Sequence, residues 1–307
     1  MKIAHISDLH ISQTNKFKNI HFLKKILDYI IKENFDHLVI TGDLVDNSKR
    51  SDFKLLRNIF KDYNMLKSNR MSLIIGNHDI FGGIETAEDI VNFPKKCLLI
   101  NYKKKVEEFT YYFRECFENC YFPLKSEFFP FAKILNNIVF IGVNSIQKYS
   151  RLRNLFASNG KISKKQNKLL DEIFKKPDYQ NKKKIILIHH HFSKYYNCIH
   201  NKNSIWMNVE RLTLKLRGKK KILKKFNENN IDLILHGHLH EMNEYFVNDI
   251  KVLNAGGTMD NNNDLFLNIN EIEIKNDDIM NTIIKIPKYK FEKKINQHFR
   301  KNKQMAV

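Results

Sequence analysis

Apolar residues along this chain fall into short blocks, and a polar cluster stops most of them. Ile3-Ala4-His5-Ile6 reads as a short buried strand ending at Ser7-Asp8. Phe22, Leu23, Ile26, Leu27, Ile30 and Ile31 recur at the spacing of one helical face and predict an amphipathic helix over 20–33. Leu38-Val39-Ile40 reads as a second strand, stopped at Thr41-Gly42-Asp43, and Phe53, Leu56, Ile59 and Phe60 mark a second helix. Leu73-Ile74-Ile75 is a third strand that runs into Gly76-Asn77-His78-Asp79. This alternation is the rhythm of an α/β layered domain with parallel strands.

The second half continues the scheme. Ile138 to Val143 reads as a buried strand. Ser163-Lys164-Lys165-Gln166 has capping-box form and opens a helix with Leu169, Leu170, Ile173 and Phe174, which ends at Pro177. Ile185 to Ile188 is a strand entering His189-His190-His191. A basic helix with Leu216, Ile222, Leu223 and Phe226 precedes the strand Ile231 to Leu235, which enters His236-Gly237-His238-Leu239-His240. Short strands around 244–254, 264–274 and 279–286 close the sheet system without another helix. The stretch 86–131 is less regular and rich in aromatics, and reads as a helical insertion plus loop, either a cap over a site or a plain packing element. The expected organisation is one domain over 1–286 with that insertion, followed by a basic tail over 287–307.

Composition narrows the class. Hydrophobic residues make up 42% and aromatics 12%, as in ordinary globular chains. No apolar run approaches the eighteen residues of a membrane span. The N-terminus lacks a signal-peptide pattern, so a cytoplasmic protein is expected. Cys97, Cys116, Cys120 and Cys198 form no CxxC pair, which favours reduced cysteines over a thiolate zinc site. The net charge of +20 raises nucleic acid or an anionic membrane as partners, through Lys182 to Lys184, Lys215 to Lys225 or Lys285 to Lys303. Solvated faces are the plainer reading of those stretches, and a basic field would in any case draw in an anionic substrate.

Chemistry concentrates where strands end. Asp8-Leu9-His10, Gly42-Asp43, Gly76-Asn77-His78-Asp79, His189 and Gly237-His238-Leu239-His240 each follow an apolar strand, and parallel sheets gather such ends along one edge. Carboxylate, imidazole and amide donors without thiolate suit Mn, Fe, Zn or Co. Gly42, Gly76 and Gly237 stand where the chain must turn in crowded space.

Together, Asp8-x-His10, Gly42-Asp43, Gly76-Asn77-His78-Asp79, His189 and Gly237-His238-x-His240 resemble the calcineurin-like metallophosphoesterases over roughly residues 1–260. Ala4 to His10, Gly160 to Ser163 with Gln166, and Leu187 to His191 look like the bacterial subgroup of class III cyclic-nucleotide phosphodiesterases and glycerophosphodiesterases. Phe192-Ser193 stands where that subgroup usually has proline. The resemblance implies an α/β/β/α sandwich of two mixed sheets flanked by helices, and two divalent or transition metal ions (Mn, Fe or Zn). It implies that Asp8, His10, Asp43 and His240 hold one ion and that Asp43, Asn77, His189 and His238 hold the other, with Asp43 bridging through two oxygens. It further implies that His78 meets the scissile phosphate as an acid, suited by an ordinary pKa of about 6.5, and that Asp79 orients it.

The remaining histidines have plainer expectations. His5 reads as a core residue or one behind the ligands, His236 as pointing away from the ions or hydrogen-bonding a ligand, and His190 as structural or behind the ligands. His191 could reach the substrate, while His21, His37, His200 and His298 are expected to be unrelated to the chemistry. Asp46 reads as a turn or cap residue rather than a third carboxylate. The expected function is hydrolysis of a small phosphodiester, a cyclic nucleotide first. The alternatives are a UDP-diacylglucosamine-type pyrophosphate hydrolase at the membrane, using the aromatic insertion and basic tail, a nuclease, or a non-catalytic scaffold. A scaffold would be expected to lose ligands or His78, and all are present here.

Overall fold

Runs of β-branched and aromatic residues, broken by Gly, Asn and Asp, build the strands of this protein. The computed structural model describes residues 1–14, 17–84, 87–152, 154–192, 216–259, 265–275 and 278–289. The first half alternates β1 (Lys2–Ile6), α1 (Phe17–Lys32), β2 (His37–Thr41), α2 (Arg50–Asp62) and β3 (Met71–Ile74). A single-turn helix α3 (His78–Phe81) follows, then α4 (Ala87–Leu99) and α5 (Tyr102–Tyr112). The chain continues through β4 (Phe131–Leu135), β5 (Ile138–Val143), β6 (Gly160–Lys161), α6 (Lys164–Phe174) and β7 (Lys183–Ile188). Next come β8 (Leu216–Arg217), α7 (Lys219–Glu228) and β9 (Leu233–His236), then β10 (Met242–Val247), β11 (Ile250–Ala255), β12 (Phe266–Lys275) and β13 (Asp278–Pro287).

Two large mixed sheets result. The first has the order β13-β12-β1-β2-β3, with β1, β2 and β3 parallel. The second has the order β10-β11-β9-β7-β5-β4, in which β5, β7, β9 and β11 are parallel and the two edge strands antiparallel. Alternation along the second sheet makes the layers. Phe140, Ile185, Leu187, Leu233 and Leu235 share a core with Ile3, Ile6, Leu38 and Ile40 of the first sheet. Their neighbours Val139, Ile141, Ile186, Ile188 and Ile234 face the other way, into Leu170 and Ile173 of α6 and Leu223 and Phe226 of α7. Each such burial stabilises by roughly 1.5–3 kcal/mol. A one-residue slip would turn both sets to the wrong face, so the register is strongly specified.

Several local expectations shift. Ile31 lies off the apolar stripe of α1 and is 46% exposed. Leu216 pairs in β8 instead of joining the basic helix. The strand expected at 244–254 is a hairpin, β10 with β11, turned at Asn248 and Asp249 in the left-handed region. Strand β4 emerges from the aromatic stretch although Lys133 interrupts its apolar run. That lysine is buried, with Nζ donating to the carbonyls of Met71 at 2.9 Å and Cys116 at 2.7 Å. Phe109 and Phe113 pack edge-on against Phe53 of α2, so this face of the aromatic region belongs to the core. Cys97, Cys116 and Cys120 are free thiols, while Cys198 lies outside the described residues. Of the tail, residues 287–289 are described, and Tyr289 meets Phe22 of α1 edge-on. Among the described residues no helix is long and apolar enough to cross a membrane.

Candidate metal centre

The parallel strands bring their polar C-terminal clusters to one edge. Past the ends of β1 and β2 the two loops continue side by side, with Asp8 N donating to Gly42 O at 3.1 Å and His10 N donating to Asp43 O at 3.0 Å. Gly237 N donates to His189 O at 3.2 Å and ties the β9 loop to the β7 loop. The turns are tight enough that Asp8 (φ +55°), His10 (φ +45°), Asp43 (φ +52°) and His238 (φ +69°) all adopt left-handed backbone. Non-glycine residues held there cost on the order of 1–3 kcal/mol each and cluster at functional sites. Gly76 and Gly237 allow close approaches at this edge, because a Cβ would lie 2.1 Å from Asp43 Oδ1 or 1.9 Å from Ser7 Oγ. Gly42 is itself at φ +97°.

Two donor groups form at this edge. Asp8, His10 and His240 each present a ligand atom within 4.8 Å of the others, and Asp43, His189 and His238 do the same. Asn77 joins the second group, since its Oδ1 is 3.0 Å from His189 Nε2. All of these are buried except His240, which is exposed. The rings of His10 and His240 are 5.5 Å apart, and those of His189 and His238 are 4.7 Å apart. Asp8 is anchored from the other side of the site, its carboxylate accepting His238 N at 3.0 Å.

Hydrogen bonds aim the imidazoles. His189 Nδ1 donates to Thr41 O at 2.8 Å, which leaves Nε2 turned toward Asn77 and toward Asp43 Oδ2 at 3.3 Å. His238 Nε2 donates to Ser158 O at 3.2 Å and leaves Nδ1 for the site. Outer acceptors of this kind fix the tautomer of a metal-ligating histidine. The mixed donor set of carboxylate, amide and imidazole groups fits borderline divalent cations. Burial opposes charge on His189, but Asp43 and Asp8 outweigh it and raise the ring to about 9. Burial likewise opposes the charge of Asp43, yet His189 and His78 hold that carboxyl well below the usual range. His238, by contrast, is pushed well below its ordinary value by burial and by the neighbouring imidazoles.

Two expectations about roles change. Asp79 does not face the ring of His78. Its Oδ1 accepts Leu44 N and Val45 N at 2.9 and 3.0 Å, and its Oδ2 accepts Gly76 N at 2.8 Å. It therefore staples the β2 loop to the β3 loop. Burial and the charge of Asp43 raise it to about 7. Asp43 divides its oxygens, Oδ1 accepting His78 N at 2.8 Å and Oδ2 standing 3.3 Å from His189 Nε2. Asp46 is more than a turn residue. Its carbonyl accepts His78 Nδ1 at 3.0 Å, and its Oδ1 stands 3.3 Å from His10 Nδ1 and 3.8 Å from His78 Nδ1. His10, Asp46 and His78 thus form a third donor cluster within 4.8 Å. Burial lowers His78 to about 4, with Asp43 opposing and His10 reinforcing the shift, so the ring is neutral at pH 7 with its Nδ1 proton on Asp46 O.

The other histidines are supports. His190 is held by Ser145 Oγ at 2.7 Å and Ser158 O at 3.0 Å, and its ring lies 4.5 Å from that of His238. His236 donates to Gly237 O at 2.8 Å and accepts Tyr245 OH at 2.8 Å. His5 bonds Thr41 Oγ1 at 2.9 Å, behind the carbonyl that aims His189. His191 is buried with its ring 6.5 Å from that of His236. His37 is a core residue, while His200 and His298 lie outside the described residues. Asp46 and the Ser158 carbonyl are the functional groups that sequence reading misses. Asp46 carries one usable signal, a second carboxylate three residues after Asp43. A main-chain carbonyl carries none.

The sequence matches the calcineurin-like phosphoesterase family over residues 1–242. No curated protein matches it. Among solved structures it is similar to a dimetal phosphatase from Danio rerio, at 12% identity and TM-score 0.57, covering 94% of this chain and 97% of that one. It is also similar to purple acid phosphatase PPD1 from yellow lupin (Lupinus luteus) seeds, at 11% identity and TM-score 0.51, covering 89% of this chain and 49% of that one. At these identities the structural likeness speaks for the fold. The family match spans most of the chain and contains every clustered donor described above, so the chain belongs to the calcineurin-like phosphoesterases.

Proposed function

We propose that this protein is a dimetal hydrolase of small phosphodiesters, with cyclic nucleotides as the first substrate class to test. The observation that carries the reading is the pair of donor triads, Asp8–His10–His240 and Asp43–His189–His238, on adjoining strand ends. Asp8, His10, Asp43 and His240 would hold one cation, and Asp43, Asn77, His189 and His238 the other. When bound, a pair of Mn, Fe or Zn ions supplies Lewis acidity and lowers the pKa of coordinated water.

The chain's own groups do the rest. Asn77 adds an oxygen donor without adding negative charge against an anionic substrate. Asp43 lies between the loops, one oxygen on His78 N and the other beside His189 Nε2. Asp46 holds His78 so that Nε2, the unprotonated atom, is the one left for substrate. A phosphoryl anion beside that nitrogen favours the protonated ring. His78 then hydrogen-bonds the phosphoryl oxygens and delivers a proton toward the leaving oxygen. Asp79 keeps the β2 and β3 loops in register.

Purified protein with Mn²⁺ should release nitrophenolate from bis-p-nitrophenyl phosphate. Asn77→Ala and His78→Ala should each slow that release by orders of magnitude, and unchanged rates would remove the mechanism. A panel of cyclic nucleotides, phosphomonoesters and pyrophosphates then ranks substrate classes, and preference for a monoester would overturn the diesterase reading.

A further inference from the structure

Beside the candidate centre lies a cavity of about 620 Å³ between α5, the 126–129 loop, the β5 exit and the start of α6. That volume is within the range of about 300–1,000 Å³ common for small-molecule sites. Its apolar wall is made by Tyr102, Val106, Phe128, Phe129, Ile146 and Leu169. Its polar rim carries Lys103, Lys148, Lys161, Lys164 and Lys165 against Glu107 and Glu127. Lys165 pairs with Glu127 at 2.7 Å and Lys103 with Glu107 at 3.7 Å. Among the described residues Lys148, Lys161 and Lys164 have no carboxylate partner, so the rim is net cationic.

The wall is built rather than incidental, and it adjoins the metal ligands. Gln166 does not reach back to its cap residue as a capping box would. Ser163 Oγ accepts Gln166 N at 3.1 Å, but the Gln166 side chain clamps Asn144, accepting its N at 2.8 Å and donating to its O at 2.8 Å. Asn144 in turn donates to Tyr102 OH at 3.0 Å, and Tyr102 donates to Ile146 O at 2.7 Å. These bonds pin α5 and α6 to the end of β5. In the parallel ladder Val143 stands opposite Ile188, so the next residues along, Asn144 and His189, are about one strand spacing apart, ~4.8 Å. Asn144 is thus both a wall of the cavity and the lateral neighbour of a candidate ligand. Ser145 beyond it bonds His190, whose ring packs on His238.

We infer that this cavity receives the non-leaving arm of the substrate, and that the arm is an apolar group of alkyl or aryl character attached to the anionic phosphodiester. The reading rests on the phosphodiester hydrolysis proposed above, and it moves the substrate class from cyclic nucleotides, whose two ester oxygens share one sugar, to open diesters with a separate arm. The apolar wall removes the arm from water, and the cationic rim favours anionic groups on it. A second depression, lined by Leu98, Ile100 and Tyr149, shares Tyr102, Lys103 and Lys148 with the first and extends the space for a longer arm.

Two measurements decide it. The Mn²⁺-loaded protein is assayed on p-nitrophenyl phosphodiesters whose second arm is methyl, phenyl or octyl. The phenyl or the octyl ester, or both, should show kcat/KM at least tenfold above the methyl ester, carried by KM, and which one leads identifies the arm. Val106→Trp, which fills the cavity, and Phe128→Asp, at a half-exposed wall position, should erase that preference while leaving methyl-ester turnover and the thermal midpoint unchanged. Equal kcat/KM for all three esters overturns the inference and leaves the hydrolase reading intact. The second measurement needs no turnover. Calorimetric titration with octyl phosphate, phenyl phosphate and inorganic phosphate should show at least tenfold tighter binding of an organic phosphate, lost in Val106→Trp. Equal affinities overturn the inference even if no ester is hydrolysed, an outcome that separately removes the hydrolase reading.

Discussion

The loops of the first sheet and those of the second bring different chemistry to the same edge. From β1, β2 and β3 come the carboxylates Asp8 and Asp43, the amide Asn77, and His10 and His78. From β7 and β9 come only imidazoles, His189, His238 and His240. The carboxylate side is built from strained turns, with three of its residues in left-handed backbone, and is held by main-chain amides that donate to Asp8, Asp43 and Asp79. The imidazole side is built from packing, with His190 and His236 behind His238 and its loop and carbonyls aiming His189 and His238. The difference is electrostatic. Amides and cations can hold buried negative charge, whereas burial keeps unsupported imidazoles neutral. Of the two buried imidazoles His189 and His238, His189 is the exception, because it sits directly on Asp43.

If the two sides differ in this way, removing charge from the first should cost most. Asp43→Asn should lower kcat/KM by about 10³-fold or more, since several kcal/mol of charge stabilisation are at stake and each 1.36 kcal/mol is tenfold in rate. A loss under tenfold in steady-state assays would break the comparison. His78→Ala should cost about 10²–10⁴-fold, the range for a positioned acid. The loss should be larger for an alkyl leaving group than for p-nitrophenolate, which needs less help. Equal losses would leave His78 a hydrogen-bond donor and not an acid.

Asp46→Asn keeps the carbonyl bond to His78 but alters the charge beside His10. About 10–100-fold in Mn²⁺ affinity, read by calorimetry, is expected for a supporting group of this kind. Metal loading itself should weaken as pH falls. His189 is raised to about 9, so below that pH it is protonated and must release a proton to ligate. Affinity should drop up to about tenfold per pH unit from 9 toward 7, with proton release seen as a buffer-dependent enthalpy, and a flat profile would remove the His189–Asp43 coupling.

The smallest effect lies outside the site. Burial, then the charge of Lys133, lowers His37 to about 3. The folded state therefore binds fewer protons than the unfolded chain between pH 3 and about 6.5. The stability this neutral ring contributes is present above pH 6.5 and is lost as pH falls toward 3. His37→Gln should flatten the fall of the urea midpoint between pH 6 and 4 by roughly one proton's slope, without changing activity at pH 7.5.

Legibility followed the range of the interaction. Asp8-x-His10 and Gly76-Asn77-His78 are readable because donors within two residues on one tight loop must converge. The same nearness misled at Asp79. Adjacent residues at the start of a helix point in different directions, so Asp79 turns to Leu44, Val45 and Gly76 while Asp46, far off in sequence, takes the ring of His78. Gln166 misled likewise, because the cap pattern at Ser163 is local and its side-chain partner Asn144 is not.

What the sequence determined by itself was the order of the principal parallel strands and their helices, the strand-end position of each donor and the donor chemistry. Those are set by apolar periodicity and by residue type, which act over a few residues. What only the tertiary structure decided was which nitrogen of His189 and of His238 faces the donor groups, that Asp79 is a staple between loops, and that a cavity opens one strand away from His189. Each of those depends on carbonyls and amides brought together by pairing two sheets, and a main-chain group has no identity in the sequence until the fold places it.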